Sequence, residues 1–192
     1  MALLMFAVII TGRMKAFSYH ACFLLVLCVV SSCSMFRNGQ AEGPVREILS
    51  YDGLSSIQVP LSWVQLDVHE RAVIEAADLN LQQFLVVMSE NKFGYWQFMG
   101  LDLEGFFHMK SWYLIDTLSD VSLGRQQEDA IHGNSAIMLE ITGIRDREHI
   151  SYLYTAVEGY HHYHEIILWT PTSRYEQVRP LFLRIVKSFD EQ

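Results

Sequence analysis

"HISYLYTAVEGYHHYHEIILWTP", His149 to Pro171, decides how the chain folds. Both arms are rich in aromatic and β-branched residues, and Gly159 stands between them with polar neighbours. Two strands joined by a tight turn is the reading this composition supports, and strands that return on themselves make an antiparallel hairpin. The next residues change character. "SRYE", Ser173 to Glu176, fits a capping box. Tyr175, Val178, Phe182, Ile185 and Phe189 then recur at helical spacing. Pro180 inside that stripe predicts a kink or a break. The stripe is expected to lie against Ile137, Leu139, Ile166 and Leu168 of the strands.

Moving towards the N-terminus, "GNSAIMLEITG", Gly133 to Gly143, alternates Ile137, Leu139 and Ile141 on one side. Between Leu101 and Leu118 the period is helical. Leu103, Phe106, Phe107, Leu114 and Leu118 share a face, Asp102 is placed to cap it, and Lys110 interrupts it. "SWYLID", Ser111 to Asp116, is read as the buried face of that helix. "AVIEAADL" and "QFLVVMSEN", Ala72 to Leu79 and Gln83 to Asn91, read as paired strands. "IQVPLSWVQLDV", from Ile57, gives two short strand pieces broken at Pro60. Strands, helix, strands, helix predicts an α+β fold with helices packed on an antiparallel sheet. There is no internal repeat and no low-complexity segment.

Four stretches resemble the PsbP-like superfamily when taken in order: "VPLSW" (Val59 to Trp63), "IHGNSAIMLE" (Ile131 to Glu140), "YHEIILWTP" (Tyr163 to Pro171) and "IVKSF" (Ile185 to Phe189). The resemblance covers about 130 residues. It implies an αβα sandwich and a role as a binding or assembly factor without a shared catalytic motif. It transfers no binding residue, because none of the four stretches is a site motif.

The first 32 residues contain Arg13 and Lys15 and no acid. "ALLMFAVII" and "ACFLLVLCVV" are both short of the roughly 20 apolar residues of a membrane span. The second has the length of a signal-peptide apolar core. It runs into "VSSC", Val30 to Cys33, which resembles the lipobox of bacterial lipoproteins. That resemblance implies a diacylglycerol thioether on Cys33 and cleavage before it. Two or three acyl chains then give durable anchoring, at about 0.8 kcal/mol per buried methylene. An uncleaved membrane helix, or an ordinary secretory signal with an incidental cysteine, is the alternative. Met14 opens a complete signal by itself, so residues 1–13 are a possible upstream extension. The expected organisation is therefore a leader at 1–32, a lipidated cysteine and flexible tether at 33–50, and a PsbP-like domain at 51–192. The implied location is a lipid-anchored domain facing the periplasm or cell exterior. Ser34 after the cysteine points to the outer membrane if the source has one.

From Cys33 onward the chain has 12 basic and 22 acidic residues. That surface repels phosphate backbones, so nucleic acid is not an expected partner, whereas an envelope protein is. The three cysteines are Cys22, Cys28 and Cys33. With two in the leader and one acylated, cysteine hydrolysis, thiol redox chemistry and thiolate metal sites are all set aside. No G-x-S-x-G, phosphate loop or dinucleotide fingerprint occurs. Asp102 and Glu104 are two apart on a helix and do not face each other. A non-enzymatic role follows, with an unrecognised hydrolase kept as an alternative and no cofactor expected beyond the lipid. "HHYH" offers the other alternative. His162 and His164 share a strand face and could hold Zn, Ni or Cu, with Glu158 or His149 as a third ligand. A polar turn entering an edge strand explains the same residues. "KFGYWQFMG", Lys92 to Gly100, is either a core plug or an exposed aromatic contact surface, with Tyr95 and Trp96 as candidate partner-binding residues.

Overall fold

The computed structural model describes residues 43–192, without the side chain of Tyr95. The leader, Cys33 and Ser34 lie outside the described residues. Strands β1 (Val45–Leu49), β2 (Ser55–Pro60), β3 (Val64–Gln65), β4 (Ala72–Asp78) and β5 (Gln83–Asn91) come first. An irregular turn at Lys92–Trp96 and a short helical turn at Gln97–Met99 lead to helix α1 (Leu103–Asp116). Strands β6 (Ser119–Leu123), β7 (Gln127–Ile131), β8 (Asn134–Arg145), β9 (Glu148–Glu158) and β10 (His162–Pro171) follow. Helix α2 (Thr172–Lys187) and strand β11 (Asp190–Glu191) end the chain.

The main sheet has the order β3-β4-β5-β10-β9-β8-β6, and β7 also pairs with β8. Every pairing is antiparallel. The expected hairpin is present, with Tyr163 opposite Glu158 and Gly159 N–H donating to the His162 carbonyl. The turns β7–β8 and β8–β9 are as tight as hairpins allow. His132 and Gly133, and then Asp146 and Arg147, all have positive φ, as two-residue turns of the mirror-image type require.

Both faces of the central strands are buried, and the two-residue alternation sorts their side chains between them. Leu153, Val157, Ile166, Leu168, Ala136 and Met138 meet α2, together with a small sheet of β1, β2 and β11. Tyr152, Tyr154, Ala156, Tyr163, Ile137, Leu139 and Ile141 meet α1. The α2 stripe of Tyr175, Val178, Phe182, Ile185 and Phe189 is buried as expected. Its partners are corrected in part. Ile166 and Leu168 lie under α2, but Ile137 and Leu139 point to the opposite face and pack under α1.

Other expectations also change. The folded unit starts earlier than residue 51, because β1 pairs with β2 and buries Ile48. The SRYE capping box does not form. Helix α2 starts at Thr172 after Pro171, with no side-chain cap. Pro180 does not break the helix: it lies on the exposed side, where the carbonyl left without an N–H faces water. Asp102 does cap α1, accepting from Gly105 N–H at 2.9 Å. "SWYLID" is not a buried face. Ser111 is buried, but Trp112 and Tyr113 are each 64% exposed. Among the described residues no helix is long and apolar enough to cross a membrane.

Candidate functional site

Lys110, the residue that interrupts the apolar face of α1, is drawn into the sandwich by two acids. Its ammonium pairs with Glu90 of β5 and, at 2.9 Å, with Glu165 of β10. Tyr154 donates to Glu165 at 3.1 Å, and Trp96 Nε1–H donates to Glu90 at 2.9 Å. Burial pulls the Lys110 pKa down, but the two carboxylates outweigh it and hold the group above its ordinary value. Burial and the Glu165 charge push the Tyr154 hydroxyl well above its usual range. This is a closed network in which each charge has an opposite partner. It locks α1 to the sheet.

Trp96 belongs to this network. It is 4% exposed and lies edge-on to Phe106. The expectation that Trp96 binds a partner is therefore corrected: it is a core residue. Among the described side chains of the same segment, Phe93 and Phe98 are exposed. Gly94 makes this division possible, since φ near +115° is open to glycine and turns the chain between them.

A second cluster forms on the α2 face. As alternation predicts, His162 and His164 point the same way along β10, with ring centroids 5.9 Å apart. Their third neighbour comes from the far end of the chain. After α2 ends at Ser188, Phe189 packs on the His164 ring at 4.8 Å, and β11 pairs Glu191 opposite Ser55 of β2. Glu191 Oε1 lies 3.0 Å from His162 Nδ1 and 3.4 Å from His164 Nε2. The carboxylate also accepts the N–H groups of Tyr160 and His161 in the β9–β10 turn. Gly159 leaves the space for it: a Cβ there would overlap the carboxylate and stand 2.8 Å from His164 Nε2. On the other side of the ring, Ser89 Oγ is 2.8 Å from His164 Nδ1.

Neither expected third ligand is near. Glu158 pairs with Lys92 at 2.6 Å, and His149 is at the opposite end of β9, across from Ile144. His161 turns towards Tyr160 and Phe93. Glu191 carried no local sequence signal, because only the return of the chain after α2 brings it here.

The electrostatics follow from burial. His164, with a side chain 2% exposed, has its pKa lowered to about 4 by desolvation, against the opposing pull of Glu191. Burial raises the Glu191 carboxyl, but the hydrogen bonds from His162 and Tyr160 outweigh it and leave the pKa below the ordinary value. Ser89, His164 and Glu191 stand in a line like that of a hydrolase. The line does not suit acyl transfer. Ser89 is inside a strand, not on a sharp turn, and a base with a pKa of about 4 is a weak proton acceptor at neutral pH.

Helix α1 leaves the sheet uncovered on both its sides. A cleft of about 840 Å³ opens towards β5 and the loop before β4, lined by Leu114, Val86, Met88, Ile150, Ile167 and Trp169 with Arg71, Arg145 and Asp146 among its polar residues. A second, of about 670 Å³, opens towards β8 and is lined by Phe107, Met109, Trp112, Ile115, Leu123 and Leu139. Both clefts are thus on the α1 face and the histidines on the α2 face.

No family model matches the chain, and no curated protein matches it in sequence. Solved structures do match. The chain is similar to the cyanobacterial PsbP (CyanoP) of Synechocystis sp. PCC 6803, with a TM-score of 0.56 at 15% identity over 81% of this chain and 96% of that one. It is also similar to LpqN of Mycobacterium tuberculosis, described as involved in cell envelope biogenesis (TM-score 0.51, 14% identity, 79% and 86% covered). The protein PA94 of Pseudomonas aeruginosa, a putative regulator, aligns at a TM-score of 0.50 and 11% identity over 78% of this chain and 99% of that one. At these identities the likeness is one of fold, and the chain has the PsbP-like fold.

Proposed function

We propose that this PsbP-like domain belongs to a membrane-anchored extracytoplasmic lipoprotein that binds or scaffolds another envelope component and catalyses no reaction. The observation that carries the reading is the α1 face. Trp112 and Tyr113 are exposed on a helix flanked by two apolar clefts, and large exposed aromatics beside apolar grooves are the usual mark of a contact surface. "VSSC" at Val30–Cys33 supports the anchor, and the shared fold with a protein of cell envelope biogenesis supports the setting. The acidic chain favours a basic or neutral protein surface as the partner.

Two measurements test the reading. Fatty-acid labelling is expected for the wild type and lost in Cys33→Ala, which should accumulate as unprocessed precursor. A photocrosslinking residue at position 112 should capture a discrete envelope protein in native membranes, and Tyr113→Asp should reduce that capture without changing the melting temperature. Normal labelling and cleavage of Cys33→Ala would remove the anchor. A crosslinker at 112 that captures nothing would remove the contact surface. Fractionation with outer-membrane markers is expected in a diderm source, from Ser34.

A further inference from the structure

We propose that His162, His164 and Glu191 form a binding site for a divalent transition-metal ion of the zinc class. One ligand atom from each of the three lies within 4.8 Å of the others. Tetrahedral ligands at bond lengths of about 2.0–2.1 Å stand roughly 3.3 Å apart. The Glu191 separations of 3.0 Å and 3.4 Å already match that spacing, and the two imidazole nitrogens, within 4.8 Å of each other, approach by ring rotation to complete it. Two imidazoles and one carboxylate suit zinc, nickel and copper, and leave a fourth position for water or an incoming group.

Three further observations point to a ligand. His164 Nε2 is buried, has no hydrogen-bond partner and faces the cluster. A polar atom in that state is costly unless something binds it. Its ring is already oriented from behind: with Nδ1–H donating to Ser89 Oγ, Nε2 keeps its lone pair for a metal. Glu191 is likewise held by the backbone N–H groups of Tyr160 and His161, which fix the carboxylate without spending the oxygen's remaining lone pairs. The His162 side chain, 20% exposed, is the most accessible of the three and marks the entry side. The Asp52 carboxylate acts through space on both imidazoles and adds negative potential there. The site is separate from the α1 face and does not depend on membrane anchoring.

The test uses the full chain, purified in detergent without a histidine tag, stripped with EDTA and dialysed against zinc chloride. Elemental analysis after gel filtration should give one zinc per chain. His162→Ala and Glu191→Gln should each lose that equivalent. Ser89→Ala should weaken binding by about 10–100-fold, and His161→Ala and His149→Ala should change nothing. Replacement of the part-exposed His162 leaves the core untouched, so its result decides the matter if a variant at a buried position fails to fold. A wild-type chain that retains no zinc, nickel or copper overturns the proposal, as does His162→Ala binding as tightly as the wild type.

Discussion

His164 shows how one buried residue ties stability to pH. Its ordinary pKa of 6.5 falls to about 4 on folding, because the buried ring resists charge. The unfolded chain therefore binds a proton in the window between 6.5 and 4 that the folded chain refuses. Stability from this group is fully present above pH 6.5, is lost as pH falls to about 4, and is flat below that. A shift of this size corresponds to about 3 kcal/mol. The titratable groups facing the ring are Glu191, His162 and Asp52. Glu191, whose pKa is lowered, acts in the same direction, since its contribution also fades in acid. Urea midpoints measured with EDTA between pH 7 and 4 should fall for the wild type and fall less steeply for His164→Gln. Parallel curves would mean that the ring is not held neutral in the folded protein. The pairing of His162 with His164 was legible from strand alternation alone. Their partner Glu191 was not: it follows a helix and a turn, and nothing near it in sequence announces a ligand.

At the scale of elements, strong periodicity was readable and short or two-faced elements were not. The hairpin through Gly159, the β4–β5 pair, α1 with its Asp102 cap and the α2 stripe all appear where the pattern puts them. The two-residue β11 and the exposed β6 have no apolar alternation to detect. Strand β1 has one fully buried apolar residue, Ile48, which was too little to separate it from a tether. The misplacement of Ile137 and Leu139 has a different cause. When both faces of a strand are buried, alternation says which residues share a face but not which helix covers it. Helix α2 gives a direct check. Phe182 is fully buried against the sheet, and its truncation to Ala should cost about 3–5 kcal/mol. Arg184→Ala, on the exposed side, should change stability by less than about 0.5 kcal/mol. Denaturant midpoints separate the two. Equal midpoints for both variants and wild type would show that α2 is not docked.

At the scale of the whole described unit, two apolar layers share one sheet. Strands β8, β9 and β10 contribute to both; in β9, Tyr154 and Ala156 face one layer and Leu153 and Val157 the other. Neither layer can loosen without disturbing the strands that form the other, so unfolding should be a single cooperative event. Far-ultraviolet circular dichroism, reporting the sheet, and tryptophan fluorescence, reporting Trp96 and Trp169 on the α1 side and Trp63 on the α2 side, should give coincident transitions. Phe106→Ala under α1 and Phe182→Ala under α2 should each move both signals together. Two separated transitions would mean that the layers are energetically independent.

The position of β10 between β5 and β9 has a consequence in time. Phe84 must find Trp169, and the whole of α1 and four strands lie between them in sequence. As the chain is made, the β4–β5 hairpin and the β8–β9 hairpin emerge first. Each carries an inner edge of unpaired backbone groups beside Val86 and Val87 or Tyr154 and Thr155. Such edges invite pairing with other chains. The β9 edge is closed locally through the turn at Gly159, but closing the β5 edge by so distant a segment is slow compared with forming a helix or a local turn. The nascent protein is thus committed to a period of exposure that ends only when His162–Pro171 is inserted, and a holding chaperone would matter most during that interval.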